Sequence, residues 1–314
     1  MGSCVVDHAS GGSARKPEWL KIRPAAGETY AGIREMLKKL KLATVCQEAR
    51  CPNLGECWGG GTATIMLMGE VCTRGCRFCS VKTGNPHGAL DHEEPEKVGW
   101  ALGQMNLQYV VLTSVDRDDL PDLGAAHFAR TIEVIKKHNP KMMIEVLTPD
   151  FQGRQELIGR VVSAKPEVFA HNVETVERLT PRVRDPRAKY WTSLEVLNEV
   201  KRQDASRYTK SSIMLGLGEQ PAEIVATLKD LREVGCDVVT FGQYLQPTAR
   251  HLPVDRFYSP EEFAYWREYA EGLGFMYVAS GPLVRSSYRA GEYFMQAAIE
   301  KQRRQAVAVA GEKA

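Results

Sequence analysis

From Gly61 onward, short runs of apolar and β-branched residues alternate with longer segments whose apolar positions recur at helical spacing. That alternation is the mark of repeated strand–helix units, whose crossovers build a parallel sheet. It predicts strands near Thr64–Met68, Tyr109–Thr113, Met142–Leu147, Val168–His171, Ser212–Leu215 and Val238–Gly242. Helices are predicted at Pro95–Gln104, Ala125–Lys137, Arg154–Ser163, Thr175–Leu179, Thr192–Gln203 and Ala222–Val234, several starting after Pro, Asp or Thr as helices tend to. Six such units suit an incomplete α/β barrel better than a two-layer sandwich. In such barrels chemistry collects at the C-terminal ends of the strands. The chain has no fixed-period repeat and no low-complexity segment, which excludes solenoids and propellers.

The segment before Gly61 reads differently: a helix over Ala31–Leu40, then cysteines among Pro, Gly and Asn. The chain therefore divides into an N-terminal extension (1–60), a barrel (61–275) and a C-terminal extension (276–314). Composition adds only bounds. With 314 residues, 43% hydrophobic and 25% charged, the chain is globular, with room for one large core and its appendages. Its 41 basic and 39 acidic side chains leave a charge of +2, too near balance for a chain that coats nucleic acid. The run Lys301-Gln302-Arg303-Arg304 reads as a solvated helix end. Neither a membrane span nor a secretory signal is legible, so a cytoplasmic location is expected, with a loosely patterned start up to about Ala14.

Cysteine placement changes the picture. Of the eight, Cys46, Cys51, Cys57, Cys72, Cys76 and Cys79 are crowded together, which in a large intracellular chain argues for metal ligation over disulfides. Cys236 reads as an ordinary buried residue ahead of a strand, and Cys4 lies in the loose start. Cys72, Cys76 and Cys79 form CxxxCxxC directly after the first predicted strand. Three thiolates suit a four-iron cluster with one iron open to a small molecule. A structural zinc site would want a fourth ligand nearby, and none is legible. Gly75 allows the loop to wrap, and Phe78 offers an apolar face beside the cluster. Cys46, Cys51 and Cys57 form CxxxxCxxxxxC, again three thiolates; on spacing alone a second cluster, a zinc site and redox thiols all stay open.

With these groups stand Thr113-Ser114-Val115-Asp116-Arg117-Asp118-Asp119-Leu120, His171-Asn172-Val173-Glu174-Thr175, Gln243-Tyr244-Leu245-Gln246-Pro247 and Arg285-Ser286-Ser287-Tyr288. In this order the motifs resemble the radical S-adenosylmethionine enzymes, and within them the lipoyl synthases, from about Lys16 to Gln296. The resemblance implies a partial (β/α)6 TIM-like barrel and two [4Fe-4S] clusters, a catalytic one on Cys72, Cys76 and Cys79 and an auxiliary one on Cys46, Cys51 and Cys57. It implies a serine as the auxiliary cluster's fourth ligand, Ser287, with Ser286 as the neighbour to test. Thr113 and Ser114 are implied near the methionine part of S-adenosylmethionine, and Asn172 and Glu174 near its ribose or carboxylate. Read without the resemblance, the serines cap a helix over Tyr288–Ala298, Asn172 and Glu174 cap the helix that follows them, and Asp118 and Asp119 sit on a solvated loop.

The implied reaction inserts sulfur at C6 and C8 of an octanoyl chain carried on a lysine of another protein. A 5′-deoxyadenosyl radical removes each hydrogen, and the auxiliary cluster supplies the sulfide. Unactivated C–H bonds are beyond acid–base side chains, which accounts for the lack of any legible triad. Implied partners are octanoylated lipoyl-carrier domains (the E2 subunits of 2-oxoacid dehydrogenases, the glycine cleavage H protein), a ferredoxin or flavodoxin electron donor and a cluster-rebuilding carrier, with no nucleic acid and no membrane. The rivals are another radical enzyme, such as a biotin synthase, which would lack the first cysteine group and the terminal motif, and a zinc scaffold without chemistry. Metal analysis separates the scaffold from the enzyme.

Overall fold

The structure, a computed structural model, describes residues 17–20, 28–40, 42–44, 53, 64–105, 107–287 and 295–300. Ten short strands are present among them: β1 (Ala43–Thr44), β2 (Thr64–Leu67), β3 (Val71–Cys72), β4 (Lys82–Thr83), β5 (Tyr109–Ser114), β6 (Met143–Leu147), β7 (Val168–Ala170), β8 (Tyr208–Leu215), β9 (Val238–Gln243) and β10 (Tyr277–Gly281). Eight form one sheet in the order β1-β2-β5-β6-β7-β8-β9-β10, and β3 and β4 form a separate pair. All its pairings are parallel except β1 against β2, and the sheet is not closed on itself.

Helices fill the crossovers: α1 (Glu28–Leu40) before the sheet, then α2 (Glu94–Met105), α3 (Ala125–His138), α4 (Gln155–Ser163), the single turn α5 (Thr180–Val183), α6 (Tyr190–Gln203), α7 (Pro221–Glu233) and α8 (Pro260–Gly272). Strands covered on both faces read as continuous apolar runs, and β2, β7 and β9 are buried along their whole length. The helices pack their apolar stripes on the outside of this sheet in two clusters, one around Phe128, Ile144 and Phe169, the other around Leu197, Leu228 and Phe241. A third cluster lies at the strands' N-terminal ends, where Tyr109, Met143, Val168 and Val238 meet Met295 and Ile299 of the helical segment 295–300. There Lys210 and Glu145 form a buried ion pair of 2.7 Å, and Tyr109 donates to the same carboxylate at 2.6 Å. This end of the barrel is therefore built for stability and leaves the opposite end for chemistry.

Six of the strands match the sequence reading; the seventh parallel strand, β10, falls in the segment assigned to the C-terminal extension. Its short Tyr-Val-Ala-Ser-Gly run is stabilised by pairing with β9, which local pattern does not carry. Helix α8 was also unread, although Ser259-Pro260-Glu261-Glu262 is a capping box with Pro at the first turn. The helix expected at Thr175–Leu179 is a 3₁₀ turn at Glu177–Leu179 that runs into α5. No helix among the described residues is long and apolar enough to cross a membrane.

Candidate active site

Leaving β2, the chain turns through Met68 and Gly69, both with positive φ, and enters β3. The β3–β4 pair frames the loop that carries Cys76 and Cys79, with Cys72 at its entry. Arg74 anchors this loop from below. Buried, it reaches Asp150 at 2.7 Å and Asp118 at 2.9 Å, with Asp116 at 3.4 Å. Burial opposes ionisation of Asp118, but hydrogen bonds from Arg74 and Gln152 outweigh it and hold the carboxyl at about 2. Further ties come from the Gly75 N–H to Asp185 at 2.8 Å, the Arg77 N–H to the Val183 carbonyl at 2.9 Å and the His251 ring to the Cys79 carbonyl at 2.9 Å.

Backbone N–H groups point at the sulfurs of Cys72 and Cys76. Cys72 Sγ accepts from the N–H groups of Arg74 (3.4 Å) and Asp116 (3.3 Å), and Cys76 Sγ from that of Asp185 (3.3 Å). Burial still pushes the thiols of Cys72 and Cys76 up to about 12 and that of Cys79 to about 11, so only a bound cation makes them thiolates at neutral pH. Among the described residues no three Cys, His, Asp or Glu side chains close around one position as ligands of a single ion would. A cluster makes a different demand, since each thiolate takes its own iron. Cys236 is wholly buried just ahead of β9, as an ordinary core residue.

The loop borders a cavity of about 530 Å³ at the C-terminal ends of the strands. Thr113 and Ser114 at the end of β5, Asn172 and Glu174 after β7, Phe78 on the loop, and Ser286 and Ser287 after β10 all line it together with the three cysteines. Ser114 Oγ, Thr148 Oγ1 and Asn172 Oδ1 are buried there without a hydrogen-bond partner. Buried polar atoms are seldom left so, and three on one cavity wall fit a polar small molecule. Asn172 Nδ2 donates to Glu174 at 3.1 Å, and burial raises the Glu174 carboxyl above its ordinary value. Glu174 holds a left-handed backbone, φ 67°, a strained conformation that turns its side chain back to the cavity. Neither residue caps the following turn, whose N-cap is Val176. Burial and the Arg184 charge lower His171 to about 4; the neutral ring has Nδ1 2.9 Å from the Thr148 carbonyl and Nε2 2.9 Å from the Ser193 hydroxyl.

Asp118 and Asp119 are not on a solvated loop: Asp118 braces Arg74, and Asp119 holds the buried Arg117. Cys46, Cys51 and Cys57 lie outside the described residues, as does most of the helix expected from Tyr288. Asn53, between Cys51 and Cys57 in sequence, lines the cavity and donates to the Leu283 carbonyl at 2.6 Å. Sequence reasoning gave no role to Asn53, Arg74, Asp150, Asp185 or His251. For Arg74 the signal was its place inside CxxxCxxC; the others are joined to the loop only by the fold.

Two families match the chain: "Radical SAM superfamily" over residues 66–242 and "N-terminal domain of lipoyl synthase of Radical_SAM family" over residues 4–51. A lipoyl synthase of Myxococcus xanthus is 57% identical over 291 residues, 93% of this chain and 97% of the relative. A mitochondrial lipoyl synthase of Schizosaccharomyces pombe is 59% identical over 292 residues, 91% of this chain and 79% of the relative. Among solved structures, the FeFe-hydrogenase maturase HydG from Carboxydothermus hydrogenoformans superposes with a TM-score of 0.54 at 14% identity, over 68% of this chain and 52% of that one. Streptococcus suis SuiB bound to S-adenosylmethionine gives 0.52 at 9% identity, over 70% and 51%. The chain spans about half the length of these two structures, and at such identity they speak for the partial-barrel fold alone.

Proposed function

The chain belongs to the lipoyl synthase family of radical S-adenosylmethionine enzymes, which insert sulfur into an octanoyl group on a carrier protein, and from that premise we propose how its residues divide the work. Cys72, Cys76 and Cys79 hold the catalytic [4Fe-4S] cluster, and Cys46, Cys51 and Cys57 with Ser287 hold an auxiliary one. The observation that carries this reading is the set of three thiols on one braced loop, at the edge of a cavity that Ser114, Asn172 and Ser287 also line. When bound, the cluster and S-adenosylmethionine supply one-electron reduction and a radical able to take hydrogen from an unactivated C–H bond.

The chain's own residues bind, orient and exclude water. Backbone N–H groups of Arg74, Asp116 and Asp185 offset charge on the sulfurs. Ser114, Thr148 and Asn172 offer unused polar atoms to the amino-acid and ribose groups of the cofactor, with Glu174 beside them and Thr113 held by its 3.1 Å bond to Leu147. Phe78, Met66, Met214 and Val284 give the apolar wall that an eight-carbon chain needs. The octanoyl lysine arrives on a carrier; E2 lipoyl domains and the glycine cleavage H protein are the proposed carriers, and a cluster-rebuilding protein restores the sulfide donor. Free thiols at Cys72, Cys76 and Cys79 are compatible with a reducing compartment.

Anaerobic iron counting on the two cysteine groups tests the division. Replacing Cys72, Cys76 and Cys79 by Ala removes about half of the iron and all cofactor cleavage, since the motif supplies every protein ligand of that cluster. Replacing Cys46, Cys51 and Cys57 leaves cleavage and removes lipoyl product. If the first variant still forms 5′-deoxyadenosine, or the second still makes lipoyl groups, the assignment is wrong.

A further inference from the structure

The catalytic loop has two sides. Its sulfurs border the cavity, where cofactor and substrate are expected, while Gly75 and Arg77 face outward. The outward side is strongly cationic. Arg77 is bonded through its N–H to Val183 and through its guanidinium to the Arg182 carbonyl, which brings Arg182 beside it. The turn carrying Arg250 packs on the same loop through His251 to Cys79 and the Leu252 N–H to the Arg77 carbonyl. Arg187 reaches over to the Thr73 carbonyl at 2.7 Å, and Lys82 lies opposite Val71 in the β3–β4 pair. These five side chains are all exposed. Of the four arginines, only Arg187 enters an ion pair among the described residues, with Asp118 and Asp185, and both of those carboxylates are largely buried beneath it.

We infer that this face is the docking surface for the electron donor, a protein with an acidic surface that carries a low-potential one-electron centre. The inference rests on the proposed cluster at Cys72, Cys76 and Cys79 and names the side from which it is reduced. One electron leaves the donor, which is oxidised, and enters the cluster, which is reduced; no atom or proton changes hands. A donor approaching through the cavity would have to displace the cofactor, whereas on the outer face it reaches the loop backbone with nothing between. Four exposed arginines and a lysine favour acidic partners and raise the encounter rate, an effect that salt screens.

The test uses the holoenzyme, an acidic [4Fe-4S] ferredoxin as protein donor and dithionite as a small one. Arg182→Glu/Arg250→Glu lies outside the cluster loop, and Lys137→Glu/Lys229→Glu, on α3 and α7, is the remote control of equal charge change. The expected result is a ferredoxin Kd raised about tenfold or more at low salt, with a matching fall in ferredoxin-driven 5′-deoxyadenosine formation. Dithionite-driven formation should be unchanged, the control variant silent, and the difference largely lost near 1 M salt. An unchanged Kd overturns the proposal, as does an equal loss with dithionite. Loss of dithionite-driven lipoyl product with ferredoxin binding intact would assign the face to the carrier protein instead. A wild-type holoenzyme that forms no 5′-deoxyadenosine even with dithionite would remove the cluster assignment on which the inference rests, a failure distinct from the others.

Discussion

Asn53 donates a 2.6 Å hydrogen bond to the carbonyl of Leu283, 230 residues away. One partner lies between Cys51 and Cys57, and the other stands three residues before Ser286. This bond ties Asn53, which borders the cavity, to the strap whose next four residues, Val284 to Ser287, line it. Asn53→Ala removes a net contribution of about 1 kcal/mol and leaves a partly buried carbonyl unpaired. The fold should survive and cofactor cleavage persist, while lipoyl product per 5′-deoxyadenosine falls several-fold. Counting both products in one anaerobic turnover checks this; an unchanged ratio would show that the bond has no part in placing the sulfur donor.

A second expectation concerns Arg74. Arg74→Met leaves the buried Asp150 without its cation, while Asp118 keeps the exposed Arg187, and breaking a buried ion pair from one side costs about 3–5 kcal/mol. For a chain of this size that lowers Tm by roughly 10 °C. Arg74→Lys should recover only part of it, because a single ammonium cannot make paired bonds to two carboxylates. Calorimetry of the iron-free proteins reads the effect without the cluster. Equal melting of wild type and Arg74→Met would mean that the carboxylates find other partners.

These two residues mark what sequence could and could not carry. The barrel's strands and most helices are local patterns with local causes, and the CxxxCxxC loop declared itself because its ligands are neighbours in the chain. Asn53 and Leu283, or Gly75 and Asp185, meet only because the strands bring distant loops to one end of the sheet, and no local period encodes that. β10 was missed for the same reason, since its stability comes from its partner β9. Ser286 and Ser287 are legible as ligands only through resemblance; as a bare dipeptide they read as a helix cap.

Proton release sets a pH dependence for cluster assembly. Burial lifts Cys72 and Cys76 to about 12 and Cys79 to about 11, so capturing iron on three thiolates displaces three protons. Iron affinity of the metal-free chain should therefore climb as pH rises from about 7 to about 9. Stability of the metal-free chain moves the other way. Its folded thiols keep protons that the unfolded chain gives up above about pH 9, so stability present below that pH is lost as pH rises through 11 to 12. Iron titrations and melting curves across this range check both signs. Replacing the three cysteines by Ser should reduce the alkaline loss of Tm without abolishing it, because burial also raises Cys236 and Tyr244; a loss equal to that of wild type would mean that the three thiols are not held protonated.

The last expectation separates Ser286 from Ser287. Both line the cavity, and the strap that carries them crosses β9 at Gly242, where a Cβ would run into the Val284 carbonyl. The strap thus lies as low over the barrel mouth as the backbone allows, at the cavity edge where Asn53, flanked in sequence by Cys51 and Cys57, is bonded to it. Alkoxide holds iron less firmly than thiolate, so a serine ligand marks the iron most easily released. Ser287→Ala should spare the fold and cofactor cleavage and lose most sulfur insertion. Ser287→Cys should keep full iron content yet release sulfide poorly, giving 5′-deoxyadenosine with little lipoyl product. If instead Ser286→Ala behaves this way and Ser287→Ala is silent, the ligand is the neighbour. Normal lipoyl yield from both alanine variants would remove the serine ligand altogether and leave the pair as part of the cavity wall.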